Sequence, residues 1–300
     1  MIDPVSPPPP RWHPAVRSFL FLIAFLLIQT VAQIAIAAGR YLAGLDPIPD
    51  GGEWMLLVFA LTAPPLVLVT VVFLRLLDRR GLASIGARQP AGGPRQALRQ
   101  AAAVPLAVLG VLAAWLFAIA LWPGTAVRAA GWSGETEGLA GALHLALLLA
   151  GFLVQGGVEE WLIRGYIYHA LRQRWRRSVS VLVSALLFAA LHGLNPDFSA
   201  AALLNTFLVG VILTFLVERS GSLWSATLAH GVWNFAVSCL VSLPVSGVRF
   251  PHLLALSVDG PALLTGGGFG PEGSLLLSLL ALAVAAALGR RLPENSGVSP

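Results

Sequence analysis

The chain has 300 residues, of which 57% are hydrophobic and 11% are charged, and its formal net charge is +5. This composition is typical of a polytopic membrane protein and excludes an ordinary soluble domain. The single cysteine, Cys239, excludes a disulfide framework and a thiolate zinc site. All basic side chains are arginines grouped between apolar runs, which indicates membrane topology rather than nucleic-acid binding.

The apolar runs are long and lack the alternation of a transmembrane strand, so they predict helices that satisfy their own backbone groups. We therefore predict an all-α, polytopic membrane protein with about eight transmembrane helices around an intramembrane catalytic cavity. The predicted spans are Phe19–Ala38, Trp54–Leu74, Ala101–Trp122, Leu139 to Arg172, Val179–Leu191, Ala200–Val217, Leu223–Leu243 and Ser274–Leu288.

Links that are rich and poor in arginine alternate along the chain, and the most basic are Arg75 to Arg99 and Arg172 to Arg177. The positive-inside rule then predicts a multi-pass protein of the inner or plasma membrane with both termini in the cytoplasm. We predict four segments: a disordered proline-rich cytoplasmic tail (1–15), N-terminal transmembrane helices (16–138), a catalytic core (139–243), and an extracytoplasmic Gly/Pro-rich loop with the last helix and a cytoplasmic tail (244–300).

Two carboxylates and a guanidinium interrupt the apolar run from Gly156 to Tyr166. Charges within a membrane span are rare unless they are paired or functional. On a helix Glu160 and Arg164 are four residues apart in the favourable order for an ion pair, so we predict that they pair. Glu159 is rotated by roughly 100° from Glu160 and needs a partner elsewhere.

Other spans contain three further polar groups, His192, His230 and Asn234, at depths compatible with that of Glu159. Each alone is explained equally well as a hydrogen-bonded side chain that bridges helices. Together they contain the parts for hydrolysis. Glu159 and His192 can hold and deprotonate a water, and His230 and Asn234 can donate hydrogen bonds to an oxyanion.

The patterns Glu159-Glu160-x-x-x-Arg164, Phe188-x-x-x-His192 and His230-x-x-x-Asn234 resemble, in this order, the three motifs of the CPBP family of CAAX prenyl endopeptidases and bacteriocin-processing proteases. The resemblance covers Gly156 to about Asn234. It implies a glutamate-dependent intramembrane endopeptidase, and we expect it to act near the cytoplasmic side. Its implied substrate is a membrane-embedded or prenylated protein or peptide within the lipid bilayer.

Three alternatives remain open at the level of sequence. We expect no cofactor, but Glu159, His192 and His230 also form a possible zinc ligand set, although His-Glu-x-x-His is absent. The same fold without catalysis would serve as a bacteriocin-immunity or scaffold protein. A proton-coupled transporter is the third alternative, and the lack of an internal repeat disfavours it.

Overall fold

The structure is a computed structural model that describes residues 12–49, 51–90, 92–133 and 138–290. The predicted proline-rich tail, apart from residues 12–15, and the predicted C-terminal tail after Arg290 lie outside the described residues.

The described residues form α1 (Pro14–Leu42), α2 (Glu53–Phe73), α3 (Gly93–Leu121), α4 (Gly138–Glu160), α5 (Tyr168–Leu171), α6 (Arg177–Leu191), α7 (Ala200–Ser220), α8 (Trp224–Phe235), α9 (Ala262–Thr265) and α10 (Leu275–Gly289), with strands β1 (Ala126–Trp132) and β2 (Leu254–Asp259). π-Helical turns extend three of them, at Leu74–Asp78, Trp161–Ile167 and Ala236–Leu240. Short 3-10 turns occupy Leu82–Ile85, Gly267–Phe269 and Pro271–Gly273.

Each predicted apolar span lies on a helix, which confirms the predicted helical membrane fold. Among the described residues, five helical segments are long and apolar enough to cross a membrane: Pro14–Leu42, Glu53–Asp78, Gly93–Leu121, Gly138–Leu171 and Ala200–Ser220. The apolar helices α6 and α10 are shorter. The long helix predicted from Leu139 to Arg172 is present as α4, a π-helical turn and α5 in direct succession.

The sequence did not predict the small antiparallel sheet that joins the links after α3 and after α8. Ala126 pairs with Asp259 at one end and Trp132 with Leu254 at the other, with an irregularity between Ala129 and Gly131. Glycine and proline are frequent near both strands, and these residues favour irregular links over regular strands. Pairing between distant links overrides that preference.

α4 packs against both α2 and α8. Glycines permit its close crossing with α8: a Cβ added to Gly231 would lie 2.9 Å from the Phe152 carbonyl oxygen, and one added to Gly156 would lie 3.1 Å from the Gly231 nitrogen. Small residues allow two helix backbones to approach in this way. The crossing brings the α8 side chains next to the acids of α4.

A buried polar network ties α1 to the π-helical turns that follow α2 and α4. Arg17 and Asp78 form an ion pair with both side chains 1% exposed. The Tyr166 hydroxyl donates to Asp78 Oδ2 over 2.8 Å, and Gln173 Nε2 donates to Asp78 Oδ1 over 3.2 Å. Both charges in the network are paired and hydrogen-bonded, so the helices pack here without an unpaired buried charge.

We predict that Asp78→Asn lowers the stability of the purified protein by roughly 3–5 kcal/mol, because it leaves Arg17 as an unpaired buried charge. Thermal unfolding in detergent measures this loss, and Arg17→Met in the Asp78→Asn background is expected to recover part of it. Arg128→Gln is the matched control, since its ion pair with Asp259 is exposed and worth about 0–1 kcal/mol. Equal effects of Asp78→Asn and Arg128→Gln contradict the prediction.

Candidate active site

The acidic pair lies at the end of α4, where the regular helix gives way to the π-helical turn Trp161–Ile167. α6 ends beside it, so that His192 caps the C-terminus of that helix. His230 and Asn234 lie on α8, one turn apart. All six residues singled out in the sequence therefore come together, and π-helical turns of this kind are frequent at functional sites.

Glu160 and Arg164 form a fully buried ion pair, with Arg164 Nη1 2.8 Å from Glu160 Oε1 and both side chains 0% exposed. Arg164 Nη2 donates to the Gly210 carbonyl of α7 over 3.1 Å, and its guanidinium lies 4.2 Å from the centre of the Phe188 ring. His230 Nδ1 lies 3.0 Å from the same Glu160 oxygen. One ion pair thus connects α4, α6, α7 and α8.

Glu159 is directed away from Arg164 and toward two imidazoles. Its Oε2 atom lies 3.7 Å from His230 Nε2 and 3.9 Å from His192 Nε2, and it accepts no hydrogen bond from the protein. Both separations exceed a direct hydrogen bond and have the length over which a water bridges two polar groups. The other carboxylate oxygen, Oε1, accepts a 2.5 Å hydrogen bond from Gln155 Nε2.

A backbone hydrogen bond fixes the orientation of His192. Its Nδ1 lies 2.8 Å from the Phe188 carbonyl oxygen, which only accepts, so Nδ1 carries the proton. In the neutral imidazole with this tautomer, Nε2 carries the lone pair and faces Glu159. The Phe188 ring packs against both imidazoles, with centroid distances of 4.6 Å to His192 and 5.7 Å to His230.

Gln155 is the site residue that the sequence reading missed. It accepts a 2.9 Å hydrogen bond from Asn234 Nδ2 and donates to Glu159, so it joins α8 to the Glu159 carboxylate. The sequence contains a signal for this role. A glutamine within an apolar run is unusual, and Gln155, four residues before Glu159, lies on the same helix face. Asn234 therefore uses one of its two amide hydrogens to support Glu159 and keeps a second donor.

Glu159, His192, Gln155 and Asn234 line a cavity of about 300 Å³. Its remaining wall is largely apolar, with Phe25, Phe59, Phe152, Phe188 and Phe250 among the lining residues and Gln29 and Gln33 of α1 as further polar groups. His230 is 6% exposed and is not among the residues that line the cavity. A mixed cavity of this kind suits an apolar ligand that carries a polar group.

The remaining histidines of the long helix have separate partners. His144 Nε2 contacts Glu53 Oε1 at 2.5 Å, and His169 Nδ1 lies 2.6 Å from the Arg164 carbonyl oxygen. Neither residue joins the site.

Fold and site together define a helical membrane protein with a buried cluster of carboxylates and imidazoles at an internal cavity. Residues 141–236 match the family model described as Type II CAAX prenyl endopeptidase Rce1-like, which covers all six predicted site residues. The match confirms the resemblance to the CPBP family and supports a CAAX-protease-like endopeptidase at the level of the family. It lies within the predicted segment 139–243, whose boundaries stay a prediction. No curated protein matches the chain.

We predict that Glu160→Gln reduces the amount of folded protein in the membrane, because it leaves Arg164 unpaired where no water reaches it. The loss is roughly 3–5 kcal/mol by analogy with buried pairs. Size-exclusion profiles and thermal unfolding in detergent provide the measurement. Arg164→Gln is expected to act in the same way, and the double variant to recover part of the loss. A Glu160→Gln protein with wild-type stability would show that the pair is dispensable.

Proposed function

We propose that this protein is an intramembrane endopeptidase that hydrolyses a peptide bond of a membrane-embedded or lipidated polypeptide. The observation that carries the proposal is the convergence of Glu159 Oε2 with the Nε2 atoms of His192 and His230. Glu159 and His192 also line the cavity. The family match supports peptide-bond hydrolysis. The largely apolar cavity wall suits a substrate that is delivered in the bilayer.

In the proposed reaction, one water lies between Glu159 Oε2 and His192 Nε2. Both atoms accept hydrogen bonds, so they bind the two hydrogens of the water and direct its oxygen lone pair toward a substrate carbonyl. Glu159 takes one proton as the water oxygen bonds to the carbonyl carbon. The carbon–nitrogen bond then breaks, and the proton held by Glu159 is transferred to the departing amine.

His230 and Asn234 are the proposed donors to the oxyanion. Two carboxylates and one guanidinium leave one negative charge in the cluster, which a protonated His230 between Glu159 and Glu160 balances. Its Nε2–H is then a donor at the reacting centre, and Asn234 contributes its second amide hydrogen from the cavity wall. Donors of this kind typically contribute about 10²–10³ in rate.

Glu160 and Arg164 are assigned a positioning role. Neither reaches the cavity, but Glu160 accepts a hydrogen bond from His230 Nδ1 and thereby sets the direction of Nε2. Such a carboxylate–histidine contact fixes ring orientation and tautomer in many sites. We also propose a multi-pass location in the inner or plasma membrane with both termini in the cytoplasm.

Zinc fits this arrangement poorly. Donor atoms around a tetrahedral zinc at 2.0–2.1 Å are about 3.4 Å apart, whereas Glu159 Oε2 is 3.7 and 3.9 Å from the two imidazole nitrogens. In the part of the chain that the structure describes, no group of three His, Cys, Asp or Glu side chains has a metal-holding arrangement. We therefore propose activation of water by Glu159 and His192 without a metal.

The proposal predicts that Glu159→Gln gives a folded, inactive protein. The amide keeps the shape of the side chain but removes the proton acceptor, and Glu159 does not belong to the ion pair that holds the helices together. Cleavage of a prenylated or membrane-tethered peptide by purified protein, with products identified by mass spectrometry, provides the measurement.

Glu53→Gln is the matched control, because Glu53 is a partly exposed carboxylate that pairs with His144 outside the site. We expect it to retain activity. Wild-type cleavage by Glu159→Gln would overturn the mechanism. If Glu159→Ala performed the cellular role as well as wild type, the immunity or scaffold alternative would replace the enzyme.

We further predict that chelators leave cleavage nearly unchanged, because a carboxylate and an imidazole activate water by themselves. The test is the rate of cleavage before and after prolonged treatment with a chelator. Loss of activity with recovery on addition of zinc would instead favour a zinc ion held by Glu159, His192 and His230.

A further inference from the structure

The two ends of the helical bundle differ in charge. The basic end carries the links after α2 and α5 and the turn after α7, with Arg75, Arg79, Arg80, Arg88, Arg95, Arg99, Arg172, Arg174, Arg176, Arg177 and Arg219. The opposite end, here called the outer end, carries Arg40, Arg128 and Arg249 together with Asp46, Glu53, Asp197 and Asp259. A bias of this size places the basic end in the cytoplasm.

Several of the partly exposed residues that line the catalytic cavity belong to the outer end. Trp54 and Met55 lie in the first turn of α2, Asn195 follows the C-terminus of α6, and the link after α8 contributes Val245, Ser246, Val248 and Phe250. Leu26, midway along α1 and 41% exposed, also lines the cavity. Trp54, Met55 and Asn195 are all partly exposed. No lining residue comes from the arginine-rich links.

The helix face that follows Glu159 toward the basic end and carries Leu162 and Tyr166 is packed. Leu162, Ile163, Tyr166 and Ile167 follow Glu159 along the helix, and each is 0–1% exposed. They belong to one apolar cluster with side chains of α1, α2 and α6. Beyond them lies the buried network of Arg17 and Asp78. A substrate arriving along this face would have to open a packed core and break a buried ion pair.

The outer wall of the cavity is held in place by a buried carboxylate. Glu272 Oε2 accepts hydrogen bonds from the Ser246 nitrogen and hydroxyl, at 2.7 and 2.8 Å, while its Oε1 accepts one from Trp233 Nε1 on α8 at 2.8 Å. Ser246 lines the cavity, and Trp233 precedes Asn234. The outer link is therefore a fixed part of the site, tied to the helix that carries His230.

We infer that the cavity takes its substrate from the extracytoplasmic side of the membrane. This inference rests on the proposed function and on the orientation given by the arginine bias. The substrate class is then an exported or membrane-inserted polypeptide whose scissile bond lies at the outer face. A lipidated terminus in the cytoplasm faces the basic end, which contributes no arginine-rich link to the cavity lining. This inference differs from the expectation, made from the sequence, that the enzyme acts near its cytoplasmic side.

Thiol labelling tests access without relying on catalysis. Asn195→Cys places a thiol at the cavity rim, while Ser257→Cys and Ser178→Cys place exposed thiols at the outer and basic ends. Cys239 is 0% exposed, so the otherwise wild-type chain gives the background. Each full-length variant is treated with a charged, membrane-impermeant maleimide in spheroplasts and in inside-out vesicles of a bacterial expression host.

We expect Asn195→Cys and Ser257→Cys to label in spheroplasts and remain at background in inside-out vesicles, and Ser178→Cys to do the reverse. Labelling of Asn195→Cys from the cytoplasmic side, from both sides or from neither overturns the inference. This result is independent of whether the protein is a protease.

A second arm adds a fluorogenic farnesylated peptide with a charged, impermeant end to the same two preparations, with Glu159→Gln as the blank. We expect cleavage that depends on Glu159 in spheroplasts only. Cleavage in inside-out vesicles only would overturn the sidedness and leave the proposed function standing. Cleavage in neither, with Asn195→Cys labelled from outside, would support the access route and count against the proposed function.

Discussion

The structure depends on the ion pair between Glu160 and Arg164, which lies where no water reaches it. Two opposite charges in such surroundings are tolerated only when their geometry is good and their remaining hydrogen-bonding groups find partners. Here partners come from different helices: the Gly210 carbonyl of α7, the Phe188 ring of α6 and His230 of α8. Glu160 Oε2 and Arg164 Nε accept or donate no hydrogen bond within the described residues. The need to satisfy one guanidinium and one carboxylate thus fixes the positions of the helices that form the site.

Two adjacent glutamates acquire different roles because successive residues of a helix point in different directions. Glu160 faces Arg164 and is fully buried, whereas Glu159 faces the cavity and retains an oxygen without a protein partner. Gln155 holds the other Glu159 oxygen, so the carboxylate is oriented without being neutralised. The same short stretch thus carries one acid in a buried ion pair and one that faces the cavity, where the proposed mechanism uses it as a base.

The links at the outer end cover the part of the cavity that the membrane helices do not enclose. α8 and its π-helical extension are short for a span, and the chain that follows folds back over the outer end through β2 and Glu272. Asn205 of α7 donates to the Glu272 and Ser274 carbonyl oxygens, so this cover is anchored in the bundle as well. This outer link forms part of the cavity wall and is held there by hydrogen bonds. Its residues therefore enter the argument for the proposed access route.

The sequence by itself determined the helical membrane fold, the paired charges of Glu160 and Arg164, and the set of polar groups that meet. These follow from local rules: apolar length, helix periodicity and the free-energy cost of a charge in a bilayer. Only the tertiary structure decided that Gln155 orients Glu159, that distant links pair as β1 and β2, and that the cavity is lined from the outer end. Those features depend on contacts between residues far apart in the chain, which no local pattern encodes.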